Sequence, residues 1–219
     1  MLMSVDGKIS TGSSDQRDVD QDFPAIKGIS EGLHQYYDLE KTTDYVSLNT
    51  GKVMAKIGVN TKKPPTQPID CQFVIIDNQP HLTQKGVTYL TKWVSHLYLV
   101  TTNPKHPAYQ SNAKNLTIIQ KSPLDLPDLF HELWKDYKIK RITIQSGGTL
   151  NAALVRQNLV DQVWIVVAPA LIGGKNTSTL IDGESLQSQI DLQLIKTLRL
   201  EEVRQLQHSY LSLRYSITH

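Results

Sequence analysis

The sequence has a single cysteine and no long apolar run, and these shortages exclude several classes of protein. The single cysteine, Cys71, cannot form an intrachain disulfide or supply a thiolate metal cluster. No apolar run reaches the roughly 20 residues that a membrane-spanning helix needs. The N-terminal Met1-Leu2-Met3-Ser4 lacks the basic and extended apolar regions of a signal peptide. We therefore expect no membrane partner and, by default, a cytoplasmic location.

Positive and negative charges are nearly balanced in the sequence. Lys and Arg number 23 against 21 Asp and Glu, for a formal net charge of +2. No long basic block occurs, so nothing in the sequence points to nucleic acid as a partner. Hydrophobic residues make up 39% of the 219 residues, enough to build a sizeable core. No linker or repeat divides the chain, and we predict a single domain over residues 1–219.

Several catalytic and metal-binding motifs are also missing. The histidines, at positions 34, 81, 96, 106, 131, 208 and 219, show no ligand spacing, and we predict no metal site. There is no G-x-S-x-G elbow of a hydrolase and no H-x-E…P-C-x-x-C signature of a zinc deaminase. The chain is therefore not expected to carry a hydrolase or deaminase activity.

Short β-rich runs alternate with helical patterns through the middle of the chain. The runs cover residues 73–76, 97–101, 116–119, 141–145 and 163–168. Most are continuously apolar, as in strands buried on both faces of a parallel sheet. Helical spacing lies between them, at residues 86–94 and 126–137 and after Gly148. This order predicts right-handed strand–helix–strand units in one open sheet.

The C-terminal part follows another pattern. The strand-like runs 198–206 and 209–217 are separated by very little and predict an antiparallel pair. In the second run, alternation predicts one buried and one wetter face. The expected buried set is Leu211, Leu213, Tyr215 and Ile217, and the wetter set is Tyr210, Ser212, Arg214 and Ser216. We predict an α/β fold with a mostly parallel central sheet and antiparallel C-terminal strands.

Four polar loops follow predicted strands, where ligands bind in sheets of this kind. Residues 146–151 hold paired glycines that let a backbone approach a ligand, at a helix start with free N–H groups. Residues 49–53 place a hydroxyl and Lys52 at another helix start. Residues 101–105 and 168–175 complete the set, the last with Gly-Gly-Lys but without P-loop spacing. Each loop alone fits an ordinary turn, and the prediction rests on their order.

Motifs within and around these loops occur in an order that resembles a known family. The motifs are Ser4-Val5-Asp6-Gly7-Lys8-Ile9, Gly147-Gly148-Thr149-Leu150-Asn151, Asn158-Leu159-Val160-Asp161, Ala168-Pro169-Ala170-Leu171-Ile172-Gly173-Gly174 and Leu213-Arg214-Tyr215. They resemble S-x-D-G-K-I, G-G-x-x-L-n…g-L-v-D-E, a-P-x-l-l-G-G and L-R-Y of the reductase domain of riboflavin biosynthesis. That family is related to dihydrofolate reductase, so the resemblance implies its three-layer α/β fold.

The resemblance also implies a reaction and its site. It implies NADPH as hydride donor, a homodimer, and a small-molecule substrate whose ribosylamino side chain, on a pyrimidine phosphate, is reduced to ribitylamino. Asp6 and Lys8 would face the substrate, with Lys8 protonating or polarising the opened sugar. Residues implied to bind the cofactor are Asn49, Thr50, Gly51, Lys52, Thr101, Thr102, Ser146, Gly147, Gly148, Thr149, Leu150 and Gly173. Of these, Thr101 and Thr102 would lie near the adenosine ribose and its 2′-phosphate.

Two departures from the family pattern concern the substrate. The family usually has Glu directly before the paired glycines, where this chain has Ser146. An arginine that commonly precedes the second strand is replaced within Leu33-His34-Gln35-Tyr36-Tyr37. These departures leave two alternatives open: an NADPH-dependent reductase of another carbonyl, imine or pteridine-like compound, and a catalytically silent nucleotide-binding relative.

Overall fold

The computed structural model describes residues 1–14, 16–43 and 45–218, so His219 lies outside the described residues. The chain divides into two compact units. The first contains Met1–Thr42 and the chain from Gly147 onward, and the second contains Thr43–Ser146. A single domain over residues 1–219 stays a prediction, and each unit is described by itself.

The strands and helices alternate through the chain. The strands are β1 (Leu2–Ser4), β2 (Val46–Thr50), β3 (Ile69–Ile76), β4 (Val94–Thr101), β5 (Leu116–Gln120), β6 (Thr143–Ile144), β7 (Gln162–Ala168), β8 (Thr197–Gln205) and β9 (Leu211–Thr218). The α-helices are α1 (Val19–Asp22), α2 (His34–Glu40), α3 (Gly51–Lys56), α4 (Gln84–Trp93), α5 (Leu126–Lys135) and α6 (Gly148–Arg156). Short 3₁₀ helices cover Phe23–Ala25, Pro107–Gln110, Ile190–Leu194 and Gln207–Ser209.

The second unit contains a five-stranded parallel sheet of order β5-β4-β3-β2-β6. Its central strands are apolar on both faces, and Val74, Ile75, Leu97 and Leu99 are fully buried. Helices α4 and α5 begin at the side-chain caps Thr83 and Asp125. Because all five strands run in one direction, their carboxyl ends form one edge, and the loops after β2, β3 and β4 meet there.

The first unit contains a mixed sheet of order β1-β7-β9-β8. Strand β1 pairs parallel with β7, and β9 is antiparallel to both β7 and β8. The α/β class with parallel strands and an antiparallel C-terminal pair is therefore confirmed. The strands form two sheets instead of one open sheet. Strand–helix alternation predicts parallel neighbours but does not determine which strands share hydrogen bonds.

The prediction of which face of the run 209–217 is buried is wrong at the start of the run, although Ile217 is buried as predicted. Tyr210 and Ser212 are 0% and 2% exposed, whereas Leu211 is 39% exposed. Tyr210 belongs to a core with Phe23, and its hydroxyl donates a hydrogen bond to the carbonyl oxygen of Ile29 at 2.7 Å. Alternation separates two faces but does not show which one the N-terminal segment covers. Within the part of the chain that the structure describes, the helices are too short or too polar to span a bilayer.

Candidate active site

Asp6 lies in the turn after β1 and binds the loop that follows β7. Its Oδ1 accepts hydrogen bonds from the Ser4 hydroxyl (2.5 Å) and the Ile172 N–H (3.1 Å), and its Oδ2 accepts one from the Gly173 N–H (2.6 Å). The bond from Ser4, with those from Gly173 and Ile172, lowers the pKa of Asp6 to about 2. Asp6 therefore stays a carboxylate at neutral pH and holds the predicted cofactor residue Gly173.

Lys8 binds the same loop from the other end of the turn. Its Nζ donates to the carbonyl oxygens of Gly174 and Thr177, both at 2.9 Å. Its backbone forms an isolated antiparallel bridge with Thr179. We call the Asp6 and Lys8 side chains with their bonds to this loop the Asp6–Lys8 clamp. An ammonium group has three N–H donors, and the clamp uses two of those of Lys8 within the described part of the chain, which leaves one for a ligand.

The clamped loop packs against the start of α6. The Thr179 N–H and hydroxyl both donate to Oδ1 of Asp182, at 3.0 and 2.6 Å, and the Asp182 N–H donates to the carbonyl oxygen of Gly148 at 3.0 Å. A β-carbon at Gly148 would overlap the carbonyl oxygen of Thr179 and the carboxylate of Asp182. Glycine is therefore required at position 148 by close packing. The first unit thus brings Asp6, Lys8, Gly173 and Gly148 into one connected set.

The other predicted residues at this helix start face more open space. Gly147 is the N-cap of α6, with no side-chain hydrogen bond to the cap and nothing within 4 Å of an added β-carbon. Thr149 is exposed and Leu150 is half-buried. Because Gly147 has ordinary φ and ψ of −74° and 160°, its lack of a side chain is not demanded by the backbone. The open space instead fits the close approach of a ligand.

An open groove of ≈ 480 Å³ lies in the first unit beside the clamp. Its walls include Phe23, Ile26, Lys27, Leu171 and Ile172. The groove therefore adjoins the segment whose N–H groups bind Asp6.

In the second unit, the end of β2 and the start of α3 form a capped turn. Asn49 is 5% exposed, and its Oδ1 accepts the Thr50 N–H at 3.2 Å. Thr50 is the N-cap of α3, and its hydroxyl accepts the Val53 N–H at 3.3 Å. Lys52 lies in the first turn of this helix. A β-carbon at Gly51 would overlap the carboxyl group of Asp77, so close packing also requires glycine here.

Thr101 and Thr102, at the end of β4, bind the residues that follow β3. The Thr101 hydroxyl is fully buried and donates to the carbonyl oxygen of Asp77 at 2.8 Å. The Thr102 N–H donates to Oδ1 of Asn78 at 3.0 Å. The second unit therefore places Gly51, Thr101 and Thr102 around Asp77 and Asn78, as expected of neighbouring strand ends.

Asp77 was not predicted from the sequence, although it organises this edge of the sheet. It is 1% exposed, and its carboxylate accepts four hydrogen bonds, from His81, Leu82 and His106. Burial raises its pKa, but the bonds from His106, Leu82 and His81 outweigh burial, so the pKa of Asp77 lies below its ordinary value. We call these four residues the Asp77 cluster. The sequence signal that could have indicated Asp77 is the position of a polar residue directly after a predicted buried strand.

Ser146 follows β6 and is 2% exposed. It occupies the place where the resembled family has a carboxylate, and it is too small and too buried to replace one in proton transfer to a substrate. Among the described residues, no group of three or more His, Cys, Asp or Glu side chains is placed to hold a metal ion. The absence of a metal site stays a prediction.

The predicted site residues thus fall into two sets. The first unit joins Asp6, Lys8 and Gly173 to the start of α6, and the second holds the residues from Asn49 to Lys52, Thr101, Thr102 and Ser146. That the two sets form one cofactor site is a prediction from the sequence.

Comparison with known families matches the RibD C-terminal domain over residues 1–211 of this chain. The chain belongs to this family. The match confirms the resemblance carried by the motifs that form the clamp and the start of α6.

Two curated relatives indicate the kind of enzyme in this family. One is the 2,5-diamino-6-ribosylamino-4(3H)-pyrimidinone 5′-phosphate reductase of Methanothermobacter thermautotrophicus, 26% identical over 201 residues, covering 86% of this chain and 84% of the relative. The other is the riboflavin biosynthesis protein RibD of Actinobacillus pleuropneumoniae, 25% identical over 201 residues. That match covers 86% of this chain and 49% of the relative, so the chain spans about half of that protein. Relatives named as reductases point to a nucleotide cofactor.

A solved structure shows the same fold. RibD of Acinetobacter baumannii, form 1, matches with a TM-score of 0.69 and 16% identity. The match covers 100% of this chain and 57% of the RibD chain. At this identity the likeness concerns the fold alone, and it confirms the reductase-domain fold that the sequence predicts.

Proposed function

We propose that this chain is an NADPH-dependent reductase that converts the ribosylamino side chain of a pyrimidine phosphate to ribitylamino. Membership of the RibD C-terminal domain family supports the reaction class, and the names of the relatives supply the substrate class. The near balance of charge supports a small-molecule substrate over nucleic acid, and a cytoplasmic location follows by default.

The observation that carries the proposal is the connection between the clamp and the start of α6. Lys8 bridges Thr179, and Thr179 lies against Gly148. The S-x-D-G-K and G-G motifs, far apart in sequence, are therefore held together by one loop. In such a connection, substrate-facing and cofactor-facing groups keep a fixed distance, which hydride transfer requires.

The residues at the start of α6 fit a dinucleotide phosphate. Helix N-termini with free N–H groups bind anions, and the open space at Gly147 leaves room for close approach. NADPH would supply the hydride when bound, and the protein would supply its position. We assign the pyrophosphate to the turn at Gly147, Gly148, Thr149 and Leu150, and the adenosine end to Asn49–Lys52, Thr101 and Thr102, with Ser146 and Gly173 adjoining the cofactor.

Asp6 and Lys8 have different roles in this account. Asp6 stays ionised and positions the loop at Gly173, so it is a poor proton donor at neutral pH. Lys8 keeps one N–H donor after its bonds to Gly174 and Thr177, and this donor would polarise or protonate the opened sugar. The groove at Ile26 and Ile172 would hold the pyrimidine side of the substrate.

The test is loss of NADPH absorbance with the diaminopyrimidinone ribosylamino phosphate and with its deaminated uracil counterpart. We expect turnover with one of them and a lower rate with NADH. Lys8→Ala should lose at least a hundredfold in turnover rate, which is about the contribution expected of one general acid. Lys41→Ala, which removes an exposed cation outside the clamp and the groove, is the matched control. No turnover with either pyrimidine, with NADPH binding intact by calorimetry, would overturn the substrate assignment.

One observation favours a second function. Buried Ser146 stands where the family has a carboxylate, so a reductase of another carbonyl, imine or pteridine-like compound, or a silent nucleotide-binding relative, competes with the first proposal. Turnover of such a compound without turnover of the pyrimidines would establish the reductase alternative. Nucleotide binding without turnover of any of them would favour the silent relative.

We also propose a homodimer formed through the exposed apolar face of β8. Leu198, Leu200 and Val203 are 46%, 52% and 58% exposed. They pair across to β9, and a bulge between Leu200 and Glu202 keeps all three on one face. A soluble chain rarely leaves such a patch uncovered. Light scattering should give a dimer mass for the wild-type protein and a monomer mass for Leu200→Glu. A wild-type monomer would contradict the assignment.

A further inference from the structure

The Asp77 cluster holds two histidines on one buried carboxylate. Oδ1 of Asp77 accepts from the backbone N–H (3.1 Å) and ring Nδ1 (2.9 Å) of His81. Oδ2 accepts from the Leu82 N–H and from Nε2 of His106, each at 3.0 Å. Every oxygen of the carboxylate is thus occupied by N–H donors, and both rings are fixed in orientation.

The two histidines differ in their capacity to take up a proton. Nδ1 of fully buried His106 accepts the Ala108 N–H at 3.1 Å, so a second ring proton there would break that bond. His81 uses Nδ1 to bind Asp77, and its side chain is 38% exposed. Its Nε2 makes no hydrogen bond within residues 1–14, 16–43 and 45–218. His81 is therefore the member of the cluster that can gain a proton and remain in place.

His81 lies at the edge of the sheet where the nucleotide is proposed to bind. The carboxylate that orients it packs against Gly51. The carbonyl oxygen of Asp77 accepts the Thr101 hydroxyl, and its neighbour Asn78 binds Thr102. The cluster is therefore part of the same set of contacts as three residues assigned to the adenosine end of the cofactor.

The negative charge of Asp77 affects how a phosphate could bind nearby, and a proton on His81 would offset this charge. A buried carboxylate close to a bound phosphate disfavours binding through like-charge repulsion. A proton on His81 would cancel the charge of the pair and supply a charged donor. We propose that His81, oriented by Asp77, binds a nucleotide phosphate through Nε2 and takes up a proton when the nucleotide binds. This inference rests on the proposed NADPH-dependent function.

Other ionisable groups near the pair do not substitute for His81 in this role. His106 is fully buried, and both of its ring nitrogens are bonded, Nε2 to Asp77 and Nδ1 to the Ala108 N–H. The first turns of α3 and α4 carry lysines at positions 52 and 85, whereas histidine is the residue type that ordinarily changes charge near neutral pH. Proton uptake near neutral pH at this edge is therefore expected from His81.

The test is calorimetric titration with NADP⁺ in two buffers of different ionisation enthalpy at the same pH. The dependence of the apparent heat on the buffer gives the number of protons taken up. We expect uptake by the wild-type protein, less uptake by His81→Gln, and about tenfold weaker binding, the order expected for one charged hydrogen bond. His81→Lys should restore affinity without proton uptake. His131→Gln, an exposed histidine on α5, is the control and should match the wild type.

The outcomes separate this inference from the proposed function. Absence of NADP⁺ binding to the wild-type protein would overturn the cofactor assignment and the inference with it. Binding with equal proton uptake in the wild type and His81→Gln would overturn the inference alone. If His81→Gln does not fold, the His81 ring proton of the wild type can be followed by NMR across pH. The inference requires its titration to move to higher pH with NADP⁺, and an unmoved curve would contradict it.

Discussion

The two units use charged side chains differently at their predicted binding regions. In the first unit, Asp6 and Lys8 lie on the surface side of a turn and bind mainly backbone groups of one loop. In the second, Asp77 is buried, and its partners include two histidine rings as well as backbone N–H groups. Solvent can therefore screen the charges of the clamp, whereas the buried charge of Asp77 is shielded from solvent. We expect loss of the buried carboxylate of the cluster to cost more stability than loss of the exposed carboxylate of the clamp.

The largest expected effect is the loss of stability when the Asp77 carboxylate is removed. Asp77→Ala leaves four buried or half-buried N–H donors without an acceptor, and we expect a loss of about 3 kcal/mol in the free energy of unfolding. Denaturant unfolding measures it. Asp128→Asn, which changes an exposed carboxylate on α5, should cost much less stability. Equal losses in the two variants would show that the cluster is no more important to the fold than a surface ion pair.

A smaller effect is expected at the paired glycines that the clamped loop contacts. Gly148→Ala places a β-carbon against the carbonyl oxygen of Thr179, which cannot rotate away, and overpacking of this kind costs about 2 kcal/mol. Gly147→Ala, where the added carbon meets nothing within 4 Å, should leave the free energy of unfolding unchanged but weaken NADPH binding. Unfolding curves and calorimetry check both. If Gly147→Ala bound NADPH normally, the pyrophosphate would not approach this turn.

The smallest effect is expected from the charge of Asp6. Its pKa of about 2 lies below the ordinary 3.8, so its contribution to stability is present above about pH 4 and is lost as the pH falls towards 2. Asp6→Asn should therefore show a shallower loss of stability over this range than the wild type. Thermal unfolding between pH 2 and 5 measures it, with exposed Asp38→Asn as the control. Parallel curves for the wild type and Asp6→Asn would contradict the clamp.

The sequence predicted most strands and helices but not the partners of the site residues. Continuously apolar runs predicted β3, β4 and β5, because a strand that is buried on both faces has apolar residues at consecutive positions. Edge strand β6 has only two residues, although residues 141–145 were predicted, since it has one partner in its sheet. For β9, alternation gave two faces but not the layer that covers Tyr210. Packing against a distant segment leaves no periodic signal.

The site shows the same limit. The motifs located Asp6, Lys8 and the paired glycines, but not that both charged side chains bind the loop at Gly173 and Gly174. Asp77 was missed because its ring partners lie four and 29 residues further along the chain, and no local pattern joins them. Contacts between loops at one sheet edge arise from the topology, which the sequence specifies only indirectly.

The most direct test of the proposed activity uses NADPH that carries deuterium at both hydrogen positions of nicotinamide C4, so that transfer from either face labels the product. The purified protein is incubated with the diaminopyrimidinone ribosylamino phosphate and its uracil counterpart, and the products are examined by mass spectrometry. The account predicts a ribitylamino product that carries the deuterium, formed by the wild type and not by Lys8→Ala. Absence of a reduced product from either substrate, or a reduced product without deuterium, would contradict it.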